Sequence, residues 1–73
     1  MLTFDEIQWK VDEIRTIDNE GDYERAHGAE DRLYTDFITA IAKGDVAEDF
    51  EYLRLMAAEC LKTQELEFPR YCA

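Results

Sequence analysis

His27, Glu30 and Asp31 fall within little more than one helical turn of the stretch AHGAEDRLYTDF, residues 26–37. An imidazole and two carboxylates at that spacing could hold a metal ion or divide an acid/base task between them. The three positions are not equivalent. On a helical wheel at about 100° per residue, Tyr23, Ala26, Ala29, Leu33, Tyr34, Phe37, Ile38, Ala40 and Ile41 form one apolar arc. Glu30 projects near the middle of that arc, between Phe37 and Ile41, His27 near one edge and Asp31 just beyond it. Glu30 is therefore expected to be buried, and a buried ionised carboxylate must be paired. The candidates are His27 one turn earlier, Arg15, Arg54 or Arg70 in a bidentate contact, a tyrosine hydroxyl and the tail backbone. A metal needs more. Di-iron bundles use several inward carboxylates and two Glu-x-x-His pairs. This chain has 1 histidine, in the order His-x-x-Glu, so zinc would have to recruit Cys60, Cys72 or a second chain. The expectation is a structural buried pair, with no catalytic residue, metal or cofactor. A metal or small-ligand site at His27 and Glu30 is the alternative.

Trp9 breaks the pattern in the opposite sense. It projects away from Phe4 and Val11, among Asp5, Glu6, Asp12, Glu13 and Thr16. A tryptophan on a carboxylate-rich face is either a partner anchor or a residue covered by the tail, with Arg70 stacked on the ring. A second apolar patch, Tyr52, Leu55, Met56 and Leu66, lies outside the stripe of Phe50, Leu53 and Ala57. Tyr and Met are common at interfaces, so Tyr52, Leu55 and Met56 join Trp9 as partner-binding candidates. The other reading is a wide core stripe with scattered surface apolar residues.

Thr3 and Glu6 have the spacing of a capping box, with Leu2 able to staple on Ile7. Phe4, Ile7, Val11, Ile14 and Ile17 recur at helical spacing, predicting a helix over about 3–18. DNEGD ends it at Gly21, and Asp22 caps a second helix over about 22–43, closed by Gly44. Gly28 inside it costs about 1 kcal/mol against Ala, unless it marks a close helix contact. Asp45 and Glu48 resemble a capping pair, predicting a third helix over about 46–63. Pro69 keeps the tail, residues 64–73, out of a helix, and Phe68 and Tyr71 are expected to fold back. Short connections make sequential helices antiparallel neighbours. The fold class is all-α: a single-domain antiparallel three-helix bundle with the short C-terminal tail packed on it.

A chain of 73 residues has little core to give up for an enclosed active site. With 18 acidic and 8 basic residues its formal charge is −10. That disfavours direct nucleic-acid binding and anionic membranes, and suits a basic protein partner. The N-terminal MLTFDEIQWK has carboxylates where a signal peptide needs an apolar run, and no run is apolar enough to span a membrane. Two cysteines do not make a disulfide scaffold, so a reduced, cytoplasmic protein is expected. G-x-S-x-G, P-loop, dinucleotide and paired C-x-x-C signatures are absent.

The segments HGAEDRLYTDFITAIAKG and LKTQELEFPRYCA resemble small acidic proteins encoded by actinobacterial phages and prophages. The likeness covers roughly the last two-thirds of the chain. It is carried by His27, Glu30, Asp31, Leu33, Ala42 and Gly44, then by Leu61, Lys62, Thr63, Phe68, Arg70, Tyr71, Cys72 and Ala73. It implies no catalytic residue. It implies a bacterial cytoplasm and a role exerted by binding a host protein. The expected function is thus a non-enzymatic acidic interaction module, a phage-encoded modulator of a host protein. A structural homo-oligomer held by the Tyr52/Met56 side is the alternative.

Overall fold

A computed structural model describes residues 1–70. It contains α1 (Phe4–Asn19), α2 (Tyr23–Ala42) and α3 (Phe50–Leu61), followed by a 3₁₀ turn, Lys62–Glu65. No strand occurs among the described residues. Among them, no helix is long and apolar enough to cross a membrane.

Each boundary has a chemical cause. Thr3 accepts from the Glu6 N–H at 3.3 Å and starts α1. At its other end the Asp22 N–H reaches Ile17 O (3.3 Å) and the Gly21 N–H reaches Asp18 O (2.9 Å). This is the paired closure of a Schellman motif, with Gly21 at φ 80°. The side chain of Asp22 then accepts from the Arg25 N–H at 3.2 Å, so one residue closes α1 and opens α2. The end of α2 repeats the device: Asp45 N–H to Ala40 O (2.8 Å), Gly44 N–H to Ile41 O (3.1 Å), and Gly44 at φ 70°.

That closure corrects the expected start of α3. Asp45 is committed, its N–H to α2 and its carbonyl to the Leu2 N–H at 3.0 Å. The segment up to Asp49 stays irregular, with Val46 buried beneath it. The N-cap is Asp49, which accepts from Glu51 (3.0 Å) and Tyr52 (3.2 Å). The third helix therefore begins at Phe50 rather than Val46.

α1 is the central element, packed on both other helices. Its Ile7, Val11, Ile14 and Ile17 are buried against Ala26, Leu33, Ala40, Met56, Cys60 and Phe68. Cross-links give the directions. Leu2 meets Asp45, so α2 runs back against α1, and the Phe4 N–H donates to Tyr52 Oη at 2.7 Å, so α3 starts beside the start of α1. The path is up, down, up. Phe68 is buried, which packs the tail on the bundle as expected. The expected placement of Tyr71 lies outside the described residues, as do Cys72 and Ala73.

The apolar pattern Val46, Phe50, Leu53, Ala57, Cys60 and Leu61 gives the buried face of this segment only in part: Val46 and Cys60 are buried and Leu53 packs against the core, while Phe50 and Leu61 are exposed. Met56 is 0 % exposed, in the centre of the core, whereas Phe50 is 74 % exposed. The buried positions are Met56, Glu59, Cys60 and Thr63, with Tyr52 half-buried one turn before them. Two of these four are polar, so the face is invisible to a count of apolar residues. The stripe of Phe50, Leu53, Ala57 and Leu61 lies to one side of it.

Gly28 sits on an exposed part of α2, and a Cβ built there meets nothing within 4 Å, so it marks no close helix contact. Gly28→Ala should stabilise the fold by about 0.5–1 kcal/mol. Thermal unfolding should show a rise of several degrees in Tm.

Candidate functional site

Glu30 is 2 % exposed, as its place in the apolar arc demands. Its partner is Arg70. The guanidinium donates from Nε to Glu30 Oε1 at 2.7 Å and from Nη2 to Oε2 at 3.2 Å, a bidentate pair. Nη2 also faces the carbonyls of Thr63 (2.7 Å) and Leu66 (2.9 Å), and Nη1 that of Phe68 (3.2 Å). The guanidinium carbon lies 3.9 Å from the centre of the Phe68 ring. One side chain thus collects the end of the 3₁₀ turn and the tail and fastens both to α2. The hydrogen bond to Glu30 raises the pKa of Arg70 above its ordinary value, more than desolvation lowers it. Because the folded-state value is raised, this contribution is complete below arginine's ordinary range and is lost only in strong alkali.

A tyrosine hydroxyl completes the cluster. Thr63 Oγ1 donates to Cys60 O at 3.2 Å, so its own proton is used. Tyr34 Oη, 2.5 Å away, must then donate to Thr63 and accept from Gln64 Nε2 at 2.9 Å. Its 3.5 Å contact with Glu30 Oε2 is secondary. Among the described residues, no buried side-chain polar atom lacks a partner.

His27 is not part of this cluster. Its Nε2 faces Asp31 Oδ2 at 3.5 Å, while both oxygens of Glu30 are held by Arg70. Among the described residues, no three His, Cys, Asp or Glu side chains gather as a metal-binding group. Cys60 is buried, and desolvation, with Glu59 nearby as the smaller cause, pushes its thiol pKa up to about 11. At neutral pH it stays a thiol and is a poor nucleophile.

Of the four partner-binding candidates, two are withdrawn from the surface. Met56 is core, and the Tyr52 hydroxyl is held by the Phe4 N–H. The Met56 side chain and the Tyr52 hydroxyl are thus engaged within the chain, in the core and with α1. Leu55 is exposed, and Trp9 is 64 % exposed, with the described tail residues 64–70 elsewhere and Arg70 stacked on Phe68. Trp9, Asp12, Glu13 and Thr16 line a shallow recess of about 270 Å³. Residues three and four positions away on a helix are side-chain neighbours, and for Trp9 all four are acidic: Asp5, Glu6, Asp12 and Glu13. All four are exposed. Of them only Asp12 has an ion-pair partner among the described residues, Arg15 at 2.8 Å.

Further concavities lie among the described residues. One, of about 400 Å³, runs between the N-terminal segment with α1 and the second half of α2, lined in part by Glu6, Lys10, Asp36, Lys43 and Asp45. Much of its charge is already paired, Lys10 with Asp36 at 3.8 Å and the terminal ammonium with Asp45 at 3.4 Å. The other, of about 270 Å³, lies between α2 and α3, lined by Tyr34, Phe37, Ile38, Ala57, Cys60 and Leu61. The sequence pattern missed it because it placed these residues in one continuous core.

Comparison with protein-family models, curated proteins and solved structures finds no match.

The ion pair predicts a contrast between neighbours. Glu30→Ala leaves Arg70 beside three carbonyls without its counter-charge, and should cost about 2–4 kcal/mol in denaturant unfolding. Asp31→Ala, on the exposed side, should stay within about 0.5 kcal/mol. Cys60 should resist alkylation near neutral pH in the folded protein and react once the chain is unfolded, read by peptide mass spectrometry.

Proposed function

We propose that the chain is a non-enzymatic interaction module that takes a basic segment of a partner protein on the outward face of α1, centred on Trp9. The observation behind this reading is an indole left 64 % exposed with a carboxylate at every neighbouring helical position. An isolated surface Trp needs no explanation. One ringed by four carboxylates is a built environment for a cation. A lysine or arginine over the ring gains about 0.5–2 kcal/mol from the π face, depending on desolvation. Its charge meets the carboxylates at the same time, and the −10 formal charge of the chain steers basic partners toward it.

The chemistry of the remaining groups supports a binding role over a catalytic one. Glu30 is neutralised by Arg70, and Cys60 is held protonated. The likeness to small acidic phage and prophage proteins gives the module a setting, modulation of a host protein in the bacterial cytoplasm.

A short lysine-rich peptide is the probe. Titrated into the protein, it should change Trp9 fluorescence saturably, while a glutamate-rich peptide of equal length should not. Binding should weaken as salt rises, since screening shortens the reach of exposed charges to about 8 Å at physiological ionic strength. Calorimetry on Trp9→Ala and on Glu13→Gln should show loss and weakening respectively, with helix content unchanged. Equal affinity of the parent and Trp9→Ala for the peptide would refute the reading.

A further inference from the structure

The four carboxylates around Trp9 are not equivalent. The recess lined by Trp9, Asp12, Glu13 and Thr16 runs from the indole toward the C-terminal end of α1. Glu6 lines the separate concavity toward α2, with Lys10 one turn further on, and Asp5 lines neither. The hydrogen-bonding state of the recess is one-sided. Thr16 Oγ1 donates its proton to Asp12 O at 3.0 Å, so its oxygen has only lone pairs left to offer. Asp12 spends Oδ1 on Arg15 Nη1 at 2.8 Å and keeps Oδ2. Glu13 has no ion-pair partner among the described residues and keeps both oxygens. Apart from the indole N–H, the lining side chains therefore present acceptors. Thr16 is a helical neighbour of both Asp12 and Glu13, four and three positions on, so these acceptors are grouped.

We propose that this recess seats one lysine ammonium of the partner's basic segment, and that Glu13 and Thr16 are the residues that select it. The assignment rests on the reading of the Trp9 face as a cation-binding surface, and it names the cation. A group of acceptors calls for a ligand that brings donors as well as positive charge. An ammonium carries three N–H donors on one compact centre and no acceptor. It can spend one donor on each of Asp12 Oδ2, Glu13 and Thr16 Oγ1 while its carbon stem lies along the indole. A guanidinium is planar and is met best by both oxygens of one carboxylate. Asp12 has already given one oxygen to Arg15 and Thr16 has a single one, which leaves a guanidinium Glu13 alone. A quaternary ammonium has the same charge and no donor, so it keeps only the attraction of the ring and of the carboxylate charge. The recess thus selects by hydrogen-bond donors, whereas the carboxylates around Trp9 select by sign.

Peptides of one sequence, carrying lysine, Nε-trimethyl-lysine or arginine at every basic position, test the assignment by calorimetry on the full chain. The lysine peptide should bind tightest. The trimethyl peptide should bind about tenfold more weakly, because charge-assisted hydrogen bonds are lost at equal charge, and the arginine peptide a few-fold more weakly. Thr16→Val keeps the branched shape at an exposed site and removes the acceptor. It should weaken the lysine peptide about three- to tenfold and leave the trimethyl peptide unmoved, with circular dichroism unchanged. Glu6→Gln, outside the recess, should weaken both peptides by the same factor. A trimethyl peptide that binds as tightly as lysine overturns the assignment. So does an arginine peptide that binds tighter than lysine, or a Thr16→Val protein with the parent's affinity for the lysine peptide. Trp9→Ala separates the two ideas: if it still loses binding in those cases, the cation-binding face stands without the lysine seat, and if it binds like the parent, both fall.

Discussion

A carboxylate placed in the apolar arc of α2 sets the terms for the rest of the molecule. Left alone, Glu30 would be too costly to bury in ionised form. Its remedy, Arg70, lies 40 residues away in sequence. Bringing that guanidinium in requires the chain beyond α3 to turn back. The 3₁₀ turn supplies the reversal, and its Thr63 carbonyl, with those of Leu66 and Phe68, accepts from the arginine's terminal nitrogens. Phe68 is buried in the same movement and gives Arg70 a ring to stack on. Burial of a pair like this is weak support for net stability. Its effect here is positional: the pair fastens the tail to α2.

Through Arg70 the described part of the tail is committed to α2 and the end of α3, away from the outer face of α1. Trp9 consequently stays in solvent. The same packing decides the opposite side. α1 contributes the central apolar stripe, and both other helices turn their buried faces to it. α2 and α3 meet each other less closely, and the apolar residues left over from their wide stripes line the groove between them. The molecule thus has two unlike surfaces, an aromatic set in carboxylates on α1 and an uncharged trough between α2 and α3.

Much of this was legible in the chain before any coordinates. The Ile7, Val11, Ile14 and Ile17 stripe, the caps at Thr3 and Asp22 and the glycine closures at Gly21 and Gly44 are local signals, set by residues within one turn of each other. They determine three helices and an all-α class. The burial of Glu30 and the outward projection of Trp9 also follow from periodicity, because α1 and α2 each have one clear apolar face.

Tertiary structure decided what local pattern left open. Which arginine answers Glu30 depends on where the tail lies. The start of α3 moved from Val46 to Asp49 because the Asp45 backbone was already engaged by α2 and Leu2, a contact between distant segments. The rotation of α3 followed its apolar pattern only in part, burying Cys60 but leaving Phe50 and Leu61 exposed. That helix is apolar around most of its circumference, so periodicity names no single inward face, and the face chosen includes Glu59 and Thr63 because Lys62, Tyr34 and Cys60 satisfy them there. Met56 therefore went to the core and Leu61 to the surface. The sequence by itself determined which segments are helical and which polar residue had to be paired. Only packing decided which apolar residues were left over, because that depends on how much of each stripe the neighbouring helix can cover.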